Sequence, residues 1–346
     1  MRLAASLIVR DEAEHIERCL ASLTPLADEI VVYDTGSADD TVALGRAAGA
    51  RVVRGEWRDD FAWARNEALR LCRADWVLSV DADEIVRCDK EQLDRALDEA
   101  DGRVFAVALH QPSADEVGGD YGNRQRRLFR RQGARWVGRV HERVIWAGQA
   151  PEFTPTQLAD TALTIVHLGY ADPDLVRSKA ERNLALGLAE VAELQQGDDA
   201  ESLARALFDL GRSLVGAGRP EQALAPFDDV RSLRDVGSQL WCKATDFAAR
   251  QLLVLNREEQ ALALAQELAQ AMPQHAEYGD WLAAQALVQL GEFATANARI
   301  QRVDRVVDTA GRAYAPERLR EQQLLIAELV RATEATAPDS ATLAGC

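Results

Sequence analysis

Three acids, Asp81, Asp83 and Glu84, stand within four positions directly after the run Trp76-Val77-Leu78-Ser79-Val80. A run of that character reads as a buried parallel strand, and open α/β sheets present their ligands at the carboxyl ends of such strands. Two carboxylates one residue apart at a strand end can hold a hard divalent cation, Mn²⁺ or Mg²⁺. Such an ion takes one or two protein carboxylates and fills its other positions with phosphate oxygens and water. The competing reading is an acidic first turn of a helix, where Asp and Glu are favoured in any case. A second segment of this kind is Asp34-Thr35-Gly36-Ser37-Ala38-Asp39-Asp40-Thr41. Asp34, at the end of its own strand pattern, could bond a base or a ribose. Residues 36–41 read as a turn and a helix cap.

The elements that must position these acids alternate along the first hundred residues. Strand patterns at 3–9, 29–34, 51–54, 76–80 and 104–109 alternate with helical patterns at 12–23, 39–48, 61–72 and 90–100. That alternation predicts βαβ units and a mostly parallel sheet. Residues 111–123, with Pro112, Gly118, Gly119 and Gly122, have the composition of a mobile loop. Short antiparallel strands are expected at 126–131, 135–137, 143–146 and 163–167, with a turn or linker at 151–155.

From about Asp174 onward the pattern is helical, and it repeats on itself. Leu210-Gly211, Leu214, Ala223 and Phe227 recur as Leu252, Ala261 and Pro273, then as Leu287, Ala296 and Ile300. Ala223, Ala261 and Ala296 stand 38 and 35 residues apart, offsets that resemble the tetratricopeptide repeat. A generic helical bundle is the alternative. The expected division is therefore an α/β domain over 1–172, helical repeats over 173–333 and a disordered tail over 334–346.

Composition narrows the function. The chain has 346 residues, 47% hydrophobic and 28% charged, as a soluble globular protein of two domains would. A net charge of −16 argues against nucleic acid or an anionic membrane surface as the main partner. Arg124 to Arg131 nevertheless contains five arginines that could meet phosphate. The five cysteines, odd in number and without a CxxC pair, fit a reduced compartment. No stretch approaches the roughly 18 apolar residues of a membrane span. The expectation is a cytoplasmic protein, with peripheral attachment to the inner membrane left open.

Several segments together resemble family 2 glycosyltransferases of the GT-A fold. They are Val9-Arg10-Asp11-Glu12 with Ile16, Cys19-Leu20 and Ser22-Leu23, then the stretch from Asp28 to Ser37, Ala64-Arg65-Asn66-Glu67-Ala68-Leu69, and the stretch from Asp75 to Glu84. The branch most resembled holds lipooligosaccharide-type glucosyltransferases and glycosyltransferases with tetratricopeptide repeats. The likeness covers about residues 1–110 in order and spacing. It implies a UDP-sugar donor, Mn²⁺ or Mg²⁺ as cofactor, and transfer to a glycan, lipid-linked or peptide hydroxyl with inversion. It implies further that Asp34 and Arg65 contact the nucleotide, that Val9, Arg10 and Glu12 line the base pocket, and that Asp81 meets the ribose or the metal. Asp83 would ligate the metal, joined by the late His167.

The acceptor hydroxyl needs a general base within hydrogen-bond reach. No Glu-Asp pair stands where many relatives place it. Glu142, in Trp136-Val137-Gly138-Arg139-Val140-His141-Glu142, is the candidate, with Asp115 and Glu116 as runners-up. His141 could orient a phosphate. Gln132-Gly133-Ala134-Arg135-Trp136 matches the QxxRW pattern of processive members, which carry membrane helices that this chain lacks. Trp136 could be an acceptor platform or a half-buried sheet aromatic. The rivals are a nucleotidyltransferase, for which Val9 to Glu12 lacks a Gly-rich phosphate loop, and a catalytically inactive scaffold. A dehydrogenase fits worse, since no GxGxxG follows the first strand.

Overall fold

A computed structural model describes residues 2–100, 104–110, 123–146, 155–167 and 173–336. The chain divides into two compact units, Met1–Glu190 and Val191–Cys346.

In chain order the first unit contains β1 (Leu3–Val9), α1 (Ile16–Leu23), β2 (Glu29–Asp34), α2 (Thr41–Ala47), β3 (Arg51–Arg54), α3 (Phe61–Leu71), β4 (Trp76–Ser79), β5 (Glu84–Cys88) and α4 (Lys90–Asp98). Then follow β6 (Val104–His110), β7 (Asn123–Arg130), β8 (Ala134–Val137), β9 (Arg143–Trp146), β10 (Thr156–Gln157), β11 (Leu163–His167) and α5 (Pro173–Leu194). The large sheet runs β3-β2-β1-β4-β7-β6-β11-β5, with β10 beside β6; β8 and β9 form a separate antiparallel pair.

The sequence pattern explains most of these elements. Every residue of β4 is buried, and β1 is apolar on both faces, as interior parallel strands must be. Leu3, Leu7 and Val9 join Ile16, Leu20 and Leu23 of α1 in one core layer. Ala4 and Val77 face the other way, against Ala62 and Leu69 of α3 and Trp136 and Val144 of the β8–β9 pair. Asp60 and Asp89 cap α3 and α4 by accepting from the backbone N–H groups of Trp63 and Gln92.

The sheet is mostly parallel, and β7 runs antiparallel between β4 and β6, where an antiparallel strand was expected. Two expectations are corrected. The strand at 163–167 is parallel to β6 and antiparallel only to β5, a strand that the sequence pattern did not show. Helix α1 begins at Ile16, four residues later than expected. Residues 11–13 are instead stitched to the turn after β2: the N–H groups of Asp11, Glu12 and Ala13 donate to Ser37 Oγ, Thr41 Oγ1 and Asp39 Oδ2. The loop at 111–122 (Asp115 and Glu116 with it), residues 151–154 and 337–346 lie outside the described residues.

The second unit is helical: α6 (Ala200–Gly216), α7 (Pro220–Leu233), α8 (Gln239–Val254), α9 (Glu258–Ala271), α10 (Ala276–Gln289), α11 (Phe293–Ile300) and α12 (Pro316–Thr336). The anchors Ala223, Ala261 and Ala296 are all buried. Between the helices of successive pairs, Gly218, Asn256 and Gly291 take positive φ (70°, 52° and 78°), at the same 38- and 35-residue offsets. Both the close contact and the turn recur, so these helices are repeats of one helical hairpin. No helix among the described residues is long and apolar enough to cross a membrane.

Candidate active site

The carboxyl end of β4 opens into a turn in which Glu84 N–H donates to Asp81 O (3.1 Å). Glu84 is fully buried, and its carboxylate accepts from Asp81 N–H (2.8 Å) and from an Arg127 Nη2–H (3.0 Å). Burial, then Asp81, pushes its carboxyl up to about 7. Asp81 accepts from two arginines, Arg65 of α3 at Oδ1 (2.8 Å) and Arg127 of β7 at Oδ2 (3.1 Å). Burial would raise the Asp81 carboxyl, but Arg127 and Arg65 outweigh it and hold it well below the usual carboxylate range.

Arg65 is buried and commits all its nitrogens. Its Nε donates to Glu142 Oε1 (2.5 Å), Nη1 to Ser79 Oγ (2.9 Å) and Nη2 to Asp81. The guanidinium also lies 5.2 Å from the Trp136 ring centroid. Arg65 therefore bridges the β4 carboxylates and the Glu142 segment, as only a planar five-donor group can.

Asp83 points elsewhere. His167 Nε2 is 3.3 Å from Asp83 Oδ2, because the antiparallel β5–β11 register sets His167 opposite Glu84. The hydrogen bond to Asp83 raises the imidazole pKa. For Asp83, burial is opposed by that bond and by the charge of His167, and its carboxyl is held down. Lys179 of α5 brings its Nζ within 3.9 Å of the same oxygen. Glu12 completes the cluster electrostatically; burial, then the Asp83 charge, pushes its carboxyl up to about 7. Among the described residues no three His, Cys, Asp or Glu side chains converge as a ready metal cage. Asp83 and His167 do supply an oxygen and a nitrogen donor side by side.

The expected residues thus fall into groups. Arg65, Asp81 and Glu142 form one ion-paired chain, while Asp83, His167 and Glu12 gather beside it. Val9 is placed differently: its side chain is in the core, and its carbonyl accepts from Thr35 N–H and Oγ–H. Asp34 is fully buried, accepts from Ser37 N–H (3.1 Å) and lies 3.6 Å from Arg54 Nε. Turn closure therefore accounts for this carboxylate, which offers no exposed surface to a base. Arg10 is exposed, 3.8 Å from Asp11. Trp136 is buried edge-on against Phe129, the sheet-aromatic alternative rather than a platform.

Two cations were not singled out from sequence. Arg127 is one of five arginines between 124 and 131, and only the antiparallel register with β4 distinguishes it. Lys179 falls in a stretch that composition assigned to the helical repeats, yet α5 brings it to Asp83.

A mixed sheet with an acid-bearing β4 end, a reversed strand beside it and a late histidine resembles the GT-A fold. Residues 7–150 match the model of glycosyl transferase family 2. A TPR repeat-containing protein of Synechococcus elongatus is 38% identical over 187 residues, covering 52% of this chain and 46% of that protein. The prophage-derived glycosyltransferase SunS of Bacillus subtilis is 26% identical over 231 residues, covering 64% and 51%. The chain spans about half the length of these curated relatives. Among solved structures, glucosyl-3-phosphoglycerate synthase of Mycobacterium tuberculosis with Mn²⁺, UDP and glucosyl-3-phosphoglycerate is similar at 27% identity. That match covers 31% of this chain and 44% of that one, with a TM-score of 0.28.

Proposed function

We propose that the chain transfers a sugar, with inversion, from a UDP-sugar to an acceptor hydroxyl, using a divalent cation. The observation that carries this reading is the pairing of Asp83, after β4 and within the stretch that matches the family 2 model, with His167 at the end of β11. Carboxylate oxygen and imidazole nitrogen suit Mn²⁺, or Mg²⁺ through the carboxylate, and two protein ligands leave room for a diphosphate. When bound, the ion supplies Lewis-acid neutralisation of the charge that develops on the departing diphosphate.

This chain's own side chains do the rest. Lys179 stands beside Asp83 and adds positive charge where the diphosphate would lie. Arg65 and Arg127 keep Asp81 ionised and fixed, so that the turn holding Asp83 is rigid. Glu142 is the base, with Arg65 holding its Oε1. The oxocarbenium-like sugar acidifies the attacking hydroxyl, so strong basicity is not required of the base. A single displacement with Glu142 accepting the hydroxyl proton inverts the anomeric centre. The helical repeats select the acceptor, whether glycan, lipid-linked or peptide.

Thermal unfolding with UDP, with and without Mn²⁺, tests the reading, since a ligand of the native state raises the melting temperature by mass action. A shift that needs both components, with hydrolysis of one UDP-sugar in a donor screen, is the expected result. No shift with any nucleotide would leave a scaffold; a preference for nucleoside triphosphates would point to nucleotidyl transfer.

A further inference from the structure

Asn66, the neighbour of Arg65 on α3, makes two reciprocal hydrogen bonds to the backbone of one residue of β8. Its Nδ2 donates to Trp136 O (2.9 Å), and its Oδ1 accepts from Trp136 N–H (2.8 Å). Trp136 pairs in register with Val144 of β9, and β8–β9 is a two-stranded ribbon. A strand residue directs both its backbone groups to the same side. At Trp136 that side faces α3, and the side-chain amide, one donor and one acceptor, stands in for a third strand.

What this clamp holds in place is the loop that carries Glu142. β8 and β9 end on the pair Val137 and Arg143, so residues 138–142 form a five-residue connection whose last member is Glu142. Gly138 (φ 97°) and His141 (φ 54°) both take left-handed conformations. A Cβ on Gly138 would lie 3.4 Å from Val140 O, so the loop path is narrow. Two further bonds fix its start: Phe61 N–H donates to Arg139 O (3.0 Å), and Arg139 N–H to Glu190 Oε2 (3.1 Å). Phe61, Arg65 and Asn66 lie on one helix. Through them α3 holds the ribbon edge, the loop and the Glu142 carboxylate in one frame.

We propose that Asn66 is a positioning residue for the transfer step: by clamping the Trp136 backbone to α3 it sets where Glu142 stands relative to Arg65 and the acceptor. The inference rests on Glu142 being the base. A shift of about 1 Å in a reacting group can cost about 100-fold in rate. Donor binding, which uses Asp83 and His167 on other elements, should be unaffected.

The test uses the full chain, with UDP-sugar hydrolysis as turnover and Glu142→Gln measured alongside. For Asn66→Ala, which loses both bonds, kcat should fall roughly 10- to 100-fold while the donor KM stays within about twofold of wild type. Asn66→Asp keeps the acceptor for Trp136 N–H but sets a carboxylate against Trp136 O; it should fall in kcat by a similar factor, again without a change in KM. The UDP and Mn²⁺ thermal shift reports whether each variant is folded and binds donor. If both Asn66 variants bind UDP and keep kcat within twofold while Glu142→Gln loses it, the clamp is refuted and the base stands. If Glu142→Gln itself keeps normal kcat, the base assignment fails and the inference falls with it. Variants in which kcat falls only in proportion to the folded fraction would also overturn it, reducing Asn66 to a stabilising residue.

Discussion

Replacing Arg65 by Met should expose how much the buried ion chain contributes. Met approximates the volume of the aliphatic stem but removes the donors to Asp81, Ser79 and Glu142. Breaking a buried pair by deleting one partner costs about 3–5 kcal/mol, because the remaining charge is left uncompensated. Here Arg127 still faces Asp81 Oδ2, so the lower end applies, about 3 kcal/mol. For a unit of this size that corresponds to a fall in melting temperature of roughly 6–12 °C. The pH dependence has a definite sign. Asp81 is held below its ordinary pKa in the folded protein, so the stability it contributes is present above its unfolded value and is lost as the pH falls. The deficit of Arg65→Met should therefore be full at pH 7.5 and still nearly full at pH 5, and shrink only as the pH falls below about 4. Scanning calorimetry on the full chain at several pH values measures this. Adding Glu142→Gln to Arg65→Met should cost less than the two single effects summed, since the two groups touch. A drop below about 2 °C at pH 7.5, or one that does not change with pH, would refute the reasoning and show that these carboxylates do not depend on Arg65 in solution.

Asp83→Ala should abolish the Mn²⁺-dependent part of the UDP thermal shift together with turnover, while melting of the free protein changes little; a retained shift would remove Asp83 from ion binding. Glu12, raised to about 7 from an ordinary 4.5, costs stability when it ionises in the folded protein, and this cost is absent below the unfolded value and complete above the folded one. Glu12→Gln should thus raise the melting temperature at pH 8, by about 1–2 kcal/mol in stability, and hardly at all at pH 4.5; urea titration with a chelator present measures both. Ala261→Leu, at a buried small-residue contact of the repeats, should destabilise the chain by about 1–3 kcal/mol and leave the UDP and Mn²⁺ response intact, as read by the same thermal assay.

Local sequence determined a good deal of this protein. The apolar runs of β1 and β4 specify strands buried on both faces, because no alternation of polar residues offers a solvent face. Asp60 and Asp89 mark helix starts by their capping chemistry. The offsets of Ala223, Ala261 and Ala296 disclosed the repeat, since a small residue is needed at each recurring close approach. The acids after β4 were legible for the same reason, a charge cluster abutting a buried strand.

Tertiary structure decided the partnerships. Strand β5 escaped notice because Glu84–Cys88, five residues with Arg87 among them, has neither a continuous apolar run nor a clean alternation. Its antiparallel pairing with β11 is nevertheless what carries His167 to Asp83. Arg127 is indistinguishable from its four neighbouring arginines until β7 docks against β4, and Lys179 carries no local sign that α5 packs with the first unit. Whether Asp34 faces a ligand or closes a turn depends on where the chain from 35 to 41 folds back. Sequence periodicity records which face of an element is buried; it holds no record of which distant charge lies opposite, and at this site the opposite charge sets the ionisation of each acid.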